Sequence, residues 1–302
     1  MKELPQLMVD LPVLYRAYLS ATARYGTPGY SSPLTTRAFL EWPIRLLAVI
    51  LGRLRGIRFP KRAIGGWWWI WRYRFEMLVG WYEYPTSLWM HRLVRPGMIV
   101  ADVGAHIGYF SRLLSRLVGP TGKVLAFEPS PENYPLLIHN LSRAGARNVL
   151  PIQAAVADKP GRPLLYVSPG HSNHSLFSGY TENEAAVAVD AVTVDDFCRN
   201  HSIGRLDLVK IDAEGAEPQV LAGMRSMLSA NPQLAMIVEV NPIALRAAGS
   251  SPEQLLGLLR QYGFLPQLIE PNGRLALPAD QDFAGGPNLL CLRGDSWDAL
   301  CQ

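Results

Sequence analysis

Cysteine is scarce: Cys198, Cys291 and Cys301 are the only three in 302 residues, an odd number without metal-ligand spacing. That excludes a disulfide framework and a thiolate zinc site, and it fits a reducing compartment. Long apolar runs are missing too. No stretch approaches the roughly 20 consecutive apolar residues of a membrane-spanning helix. Met1 to Asp10 carries Lys2, Glu3 and Asp10 and no apolar core, so no signal peptide is read there. A cytoplasmic protein, at most peripheral to a membrane, is expected. Internal repeats are absent, and a 49% apolar share excludes disorder as the class. The length suits one large domain with an appendage, or two modest domains.

Acidic residues are sparse in the front third. Residues 1–96 hold 5 Asp and Glu against 14 Lys and Arg, a balance of +9, whereas residues 97–302 carry −5. An acidic body is a poor nucleic-acid binder, so no nucleic acid partner is expected, while the basic front suits an anionic membrane surface or an acidic polymer. Helix-like apolar spacing covers residues 7–24 and 34–55, strongest over Ile44 to Leu51, with Arg45, Arg53, Arg55, Arg58, Lys61 and Arg62 around it. Two readings stand for this segment: a helical cap over the main domain, or an interfacial helix on lipid. Trp67 to Tyr73, an aromatic cluster with Arg72, fits packing between cap and body or a place at a headgroup boundary. The expected division is an extension over 1–79 and a catalytic domain over 80–302, with the oligomeric state unread.

From Arg95-Pro96-Gly97 onward, strands and helices alternate. Strands are expected over Val100 to Val103, Lys123 to Glu128, Asn148 to Gln153, Val187 to Val192, Leu206 to Asp212, Leu234 to Val240, Phe264 to Leu268 and Asn288 to Arg293. Helices are expected over Tyr109 to Leu117, Pro131 to Ala144, Thr193 to His201, Glu217 to Leu228 and Pro252 to Tyr262. Short connections make neighbouring strands parallel, which gives an α/β fold: a doubly wound, Rossmann-like, seven-stranded and mostly parallel sheet with helices on both faces. Such sheets bind ligands at the carboxyl ends of their strands, where the winding reverses.

The stretch Val100 to Ser111 reads as strand, glycine turn and helix, a place where backbone can approach a small ligand closely. About twenty residues on, Phe127-Glu128-Pro129 ends the second strand with a carboxylate able to accept from two ribose hydroxyls. By itself Glu128 could instead complement the dipole of the helix opening at Pro131, but paired with the glycine turn the ribose role is preferred. Gly104-Ala105-His106-Ile107-Gly108 lacks the third glycine of a dinucleotide fingerprint, which suits a ligand with one nucleoside and no pyrophosphate. Two alternatives remain at this level: a NAD-dependent oxidoreductase, disfavoured by that missing glycine, and a non-catalytic binding protein on the same fold.

With Val209-Lys210-Ile211-Asp212-Ala213-Glu214-Gly215-Ala216-Glu217 and Glu239-Val240-Asn241 added, residues 80–293 resemble the class I S-adenosylmethionine-dependent methyltransferases, and more narrowly the FkbM family. The resemblance implies S-adenosyl-L-methionine as cofactor and O-methylation of a sugar, glycolipid, polysaccharide or secondary metabolite. It implies that Asp102, Gly104, Ala105, His106, Gly108, Tyr109, Phe110 and Ser111 wall the methionine side. Glu128, with Pro129 beside it, would hold the ribose; Gln153, Ala154 and Ala155 would border the adenine; and the Tyr82-Glu83 region, with Glu83 as its contact, would close over the cofactor. Where the family commonly has Asn, this chain has His106, which still donates one hydrogen bond.

Methyl transfer from a sulfonium is an in-line displacement that needs an aligned acceptor oxygen and a sink for its proton. Asp212 and Glu214 stand at the end of a strand near that point, and Lys210 shares the face of Asp212 by the period of two. Capping of the next helix is the competing reading for the carboxylates, and a structural ion pair for Lys210. Glu239 ends the adjacent strand. It and Asn241 are placed to border the substrate or to join Asp212 as oxygen ligands for Mg2+; the metal is the less favoured reading and no metal site is expected. His171 and His174, in a polar loop, are candidate bases because imidazole titrates near neutrality.

Overall fold

A computed structural model describes residues 46–47, 49–59, 67–167, 173–180, 185–278 and 283–294, without the side chains of 67–72. The helix expected over 7–24, residues 34–45 and 48 of that expected over 34–55, and His171 lie outside the described residues. Residues 46–47 and 49–55 are helical. Two helices, α1 (Trp67–Val79) and α2 (Tyr84–Leu93), lead into the sheet.

The first winding runs β1 (Ile99–Val103), α3 (Tyr109–Val118), β2 (Lys123–Phe127), α4 (Asn133–Ala144) and β3 (Val149–Ile152). β1 and β2 are buried nearly throughout, as expected of parallel strands covered on both faces. Buried Phe110, Leu113, Leu114 and Val118 give α3 one apolar face, directed at the sheet. Between β3 and the return to the sheet lie β4 (Ala155–Val156), β5 (Leu164–Val167), β6 (Ala185–Ala188), β7 (Ala191–Val192) and α5 (Val194–Asn200). The return strand is β8 (Leu208–Ile211), followed by α6 (Glu217–Ala222), α7 (Arg225–Ala230), β9 (Ala235–Glu239), α8 (Pro242–Ala247), α9 (Pro252–Gln261), β10 (Leu265–Ile269), β11 (Leu275–Ala276) and β12 (Asn288–Leu292).

The main sheet has the order β11-β10-β12-β9-β8-β1-β2-β3. β3, β2, β1, β8 and β9 are parallel neighbours, and β12 enters antiparallel between β9 and β10. The winding reverses between β1 and β8, where Val103 pairs with Ile211, so the carboxyl ends of these two strands flank the crevice. One apolar cluster, with Leu125, Phe127, Val209 and Met236, packs under α5, α6, α7 and α9. The other, with Trp89, Phe110, Leu114 and Ile237, packs under α2 and α3. Among the described residues no helix is long and apolar enough to cross a membrane.

Three expectations need correcting. The sheet has an eighth strand, the two-residue edge β11, which pairs antiparallel with β10. The single strand expected over Val187 to Val192 is two, because β6 pairs with β5 while β7 pairs with β4, and the chain turns between partners at Val189 and Asp190. The single helix expected over Glu217 to Leu228 breaks at Gly223, where a Cβ would stand 2.1 Å from the carbonyl oxygen of Ala157. Asp195 then restarts it, accepting hydrogen bonds from the N–H groups of Ser226 and Met227 at 2.8 and 2.9 Å.

Candidate active site

The glycine turn after β1 is held from below. Gly104 and Ala105 donate their N–H groups to the carbonyl of Phe127 at 3.0 and 2.8 Å. Gly104 has φ +81°, and a Cβ there would lie 1.8 Å from the carbonyl oxygen of Asp212, so two strand ends meet at a point only glycine permits. His106 also takes a left-handed conformation, φ 51°. Its N–H donates to Glu128 Oε2 at 2.7 Å, while Ser130 N–H donates to Oε1 at 2.9 Å. One carboxylate thus ties the turn to the end of β2. Burial drives the Glu128 pKa up to about 7, against these two backbone hydrogen bonds, which pull it down.

Helix α1 reaches over this turn. The hydroxyl of Tyr73 is 3.0 Å from His106 Nδ1, and the Tyr73 ring meets that of Tyr82 edge-on at 5.1 Å. Burial, with Glu83 and Asp212 nearby, raises the Tyr73 pKa and keeps the phenol protonated, able to donate to the imidazole.

The end of β8 carries the densest charge. Lys210, 1% exposed, donates from Nζ to Asp212 Oδ2 at 2.8 Å and lies 4.8 Å from the centre of the Phe110 ring. Burial disfavours its ammonium, but Asp212, Asp102 and Glu83 outweigh that and raise its pKa. Burial also opposes ionisation of Asp212, and there Lys210 prevails, so Asp212 is held below the usual carboxylate range. Glu239 is pushed well above that range by burial and by Asp212 and Glu214, and Glu214 rises to about 8 through burial and Asp212. Carboxylate oxygens of Asp212, Glu214 and Glu239 all lie within 4.8 Å of one another, close enough to share a cation or a proton.

Neighbouring residues have structural duties. Glu217, the first residue of α6, ties down the turn before it, accepting from the N–H groups of Ala213 at 3.1 Å and Gly215 at 3.1 and 3.2 Å. Asn241, read as a possible metal ligand, instead spends Oδ1 on the N–H groups of Ile243 and Ala244 at the start of α8. It donates from Nδ2 to Tyr180 Oη at 2.7 Å and to Glu214 Oε2 at 3.1 Å.

These groups surround a cavity of about 270 Å³ at the switch point. Gly104, His106, Glu128, Pro129, Ala154 and Ala155 line it together with Asp212, Glu214, Glu239 and His174. Ala105, Gly108, Tyr109, Phe110, Ser111, Gln153, Glu83, Asp102 and Lys210 are not on its wall. Gly108 instead lets α3 approach Leu137, and Tyr109 packs edge-on against Tyr82. Ser111 donates to buried Asp102 Oδ2 at 2.6 Å, Gln153 is exposed, and Glu83 accepts from Asn288 at 2.8 Å. Sequence reading missed Tyr73 and Tyr180 as wall or support residues. For Tyr73 the signal was its place at the end of the aromatic run; for Tyr180 there was none, since only the fold brings its loop beside β9. A wider groove of about 880 Å³ shares Asn173, Asn241 and Gly285 with the cavity and is lined further by Tyr180, Arg246 and Phe283.

A family model described as the methyltransferase FkbM domain matches residues 102–266. The chain is 27% identical over 191 residues to hexuronic acid methyltransferase AglP of Haloferax volcanii, covering 62% of this chain and 70% of that one. It is 28% identical over 201 residues to the 31-O-demethyl-FK506 methyltransferase FkbM of Streptomyces tacrolimicus, covering 57% and 74%. Against the 2-O-methyltransferase NoeI of Sinorhizobium fredii it is 25% identical over 166 residues, covering 48% and 67%.

Proposed function

The chain belongs to the FkbM methyltransferase family, and from that premise we propose that it transfers the methyl group of S-adenosylmethionine to a hydroxyl oxygen of a sugar, glycolipid or secondary metabolite in the cytoplasm. The observation that carries this reading is one cavity lined both by Glu128 and by the Asp212, Glu214 and Glu239 carboxylates. The names of the relatives, a hexuronic acid methyltransferase and a 2-O-methyltransferase among them, support oxygen as the acceptor atom. We also propose that residues 80–302 form the transferase unit and that 1–79 is an appended segment that lends Tyr73 to the site.

The residues present fit such a donor. Glu128 keeps lone pairs for ribose hydroxyls beyond the two it gives to backbone, the tight turn at Gly104 leaves the strand end open to a ligand, and Ala154 and Ala155 offer a small apolar edge for adenine. When bound, S-adenosylmethionine supplies a methyl on a sulfonium. Asp212, kept ionised by Lys210, would favour that positive charge and would orient the acceptor hydroxyl toward it. The acceptor's hydroxyl proton would pass to the carboxylate cluster, and Glu214, with its pKa raised to about 8, would take it up in its ionised form as the member best matched to that exchange. The acceptor would enter along the groove past Tyr180 and Arg246.

Steady-state kinetics and calorimetry of Asp212→Asn and Glu214→Gln test the assignment. Turnover is expected to fall by about 10²-fold or more in both, with the affinity for S-adenosylmethionine nearly unchanged in Glu214→Gln and reduced far less than turnover in Asp212→Asn. Unaltered turnover in both variants would remove the carboxylates from the mechanism.

A further inference from the structure

The helix through residues 46–55 turns its apolar side outward. Leu54 is 74% exposed, and Leu46, Leu47, Val49 and Ile50 lie between 37% and 47%. Leu46, Ile50 and Leu54 recur at i, i+4 and i+8, which makes one stripe. Ordinary surface helices of globular proteins show water the opposite face.

The other side of this helix is fixed to the body. A Cβ at Gly52 would touch Leu78 at 3.9 Å, and Arg55 donates to the Leu78 carbonyl. Just past the helix, His139 Nε2 lies 3.0 Å from the Gly56 carbonyl oxygen, and Arg58 N–H donates to Asn140 Oδ1 at 2.8 Å. Asn140 answers from Nδ2 to the carbonyls of Arg58 and of Ile107, both at 3.0 Å. Ile107 belongs to the glycine turn, so the outward helix is fastened to the rim of the candidate active site.

Charge selects what the stripe meets. Arg53 and Arg58 are exposed beside it, and neither has an ion-pair partner among the described residues. The front third carries +9 and the remainder −5. Two copies meeting through this face would bring like charges together, whereas an anionic bilayer attracts the front, repels the body and accepts the apolar stripe at its headgroup boundary. We propose that residues 46–58 dock the protein on an anionic lipid surface, with the rim of the site held at that surface. The inference rests on the exposed helix and the charge asymmetry alone, independent of the acceptor.

Flotation of the full-length protein with vesicles tests this. Phosphatidylcholine vesicles containing phosphatidylglycerol should carry the protein at low salt and release it at high salt, and pure phosphatidylcholine vesicles should carry far less. Ile50→Glu with Leu54→Glu, and separately Arg53→Glu with Arg58→Glu, should each weaken flotation about tenfold or more, with thermal melting and S-adenosylmethionine binding unchanged because these side chains are exposed. Equal flotation on both lipids, none on the anionic vesicles at low salt, or full flotation of the Ile50→Glu, Leu54→Glu variant would overturn the proposal. So would a wild-type dimer that this variant converts to monomer while vesicles carry neither.

Discussion

Lys210 and Asp212, two positions apart at the end of β8, meet at 2.8 Å with the lysine almost wholly removed from solvent. An ammonium in such a place is held by its partners, here Asp212 with Asp102 and Glu83 behind it. Removing it leaves buried Asp102 and half-buried Asp212 and Glu83 without their cation. Lys210→Met is expected to cost about 3–5 kcal/mol, read as a drop in the urea midpoint, and to raise the pKa of Asp212. A variant within about 1 kcal/mol of wild type would mean that the pair is worth no more than a surface ion pair.

Glu128 makes a prediction about pH. Its folded pKa is about 7 against an ordinary 4.5, so the folded chain keeps a proton that the unfolded chain loses. The stabilisation is complete below about 4.5 and disappears as pH rises through about 7; Glu217, also at about 7, acts in the same sense. Asp212 works the other way, its contribution being lost only as pH falls below the usual carboxylate range. The melting temperature of the ligand-free protein should therefore decline between about pH 5 and pH 7. Over the same window the affinity for S-adenosylmethionine should increase, because ribose hydroxyls donate best to the ionised carboxylate, and Glu128→Ala should abolish binding. Calorimetry at several pH values reads both, and a pH-independent affinity would take Glu128 away from the ribose.

Gly104 and Gly161 form a contrasting pair. A methyl at Gly104 meets the Asp212 carbonyl at 1.8 Å on a backbone with φ +81°, whereas a methyl at Gly161 has nothing within 4 Å and no left-handed backbone. Gly104→Ala should destabilise by well over about 1 kcal/mol and impair cofactor binding, while Gly161→Ala should stay within about 0.5 kcal/mol. Chemical denaturation of the two variants checks this. Equal stabilities would show that the contact between β1 and β8 relaxes freely.

The parallel half of the sheet was legible because its strands are short apolar runs bounded by turns at Gly97, Gly104, Gly119 and Gly145. Val187 to Val192 and Glu217 to Leu228 misled because each looks continuous in composition. What divides them lies elsewhere in the chain: for the first, the change of partner from β5 to β4; for the second, the Ala157 carbonyl and the Asp195 carboxylate. At the site, Asp212, Glu214 and Glu239 were readable as carboxylates at strand ends. Their mutual approach was not, and neither was the diversion of Asn241 into capping α8, since no spacing rule reports which strands become neighbours. Tyr73 escaped for a similar reason: its aromatic run marks burial but not the partner.

The central claim is transfer of a methyl group from S-adenosylmethionine to a hydroxyl oxygen, and the direct measurement uses a ¹³C-methyl donor with a panel of sugars, uronic acids and glycolipids, followed by NMR of the products. The account predicts a labelled methoxy carbon coupled through oxygen to an acceptor carbon, formed by the wild type and depleted in Asp212→Asn. Label on nitrogen or carbon, or binding of the donor that Glu128→Ala leaves intact with no label leaving it for any acceptor, would contradict it.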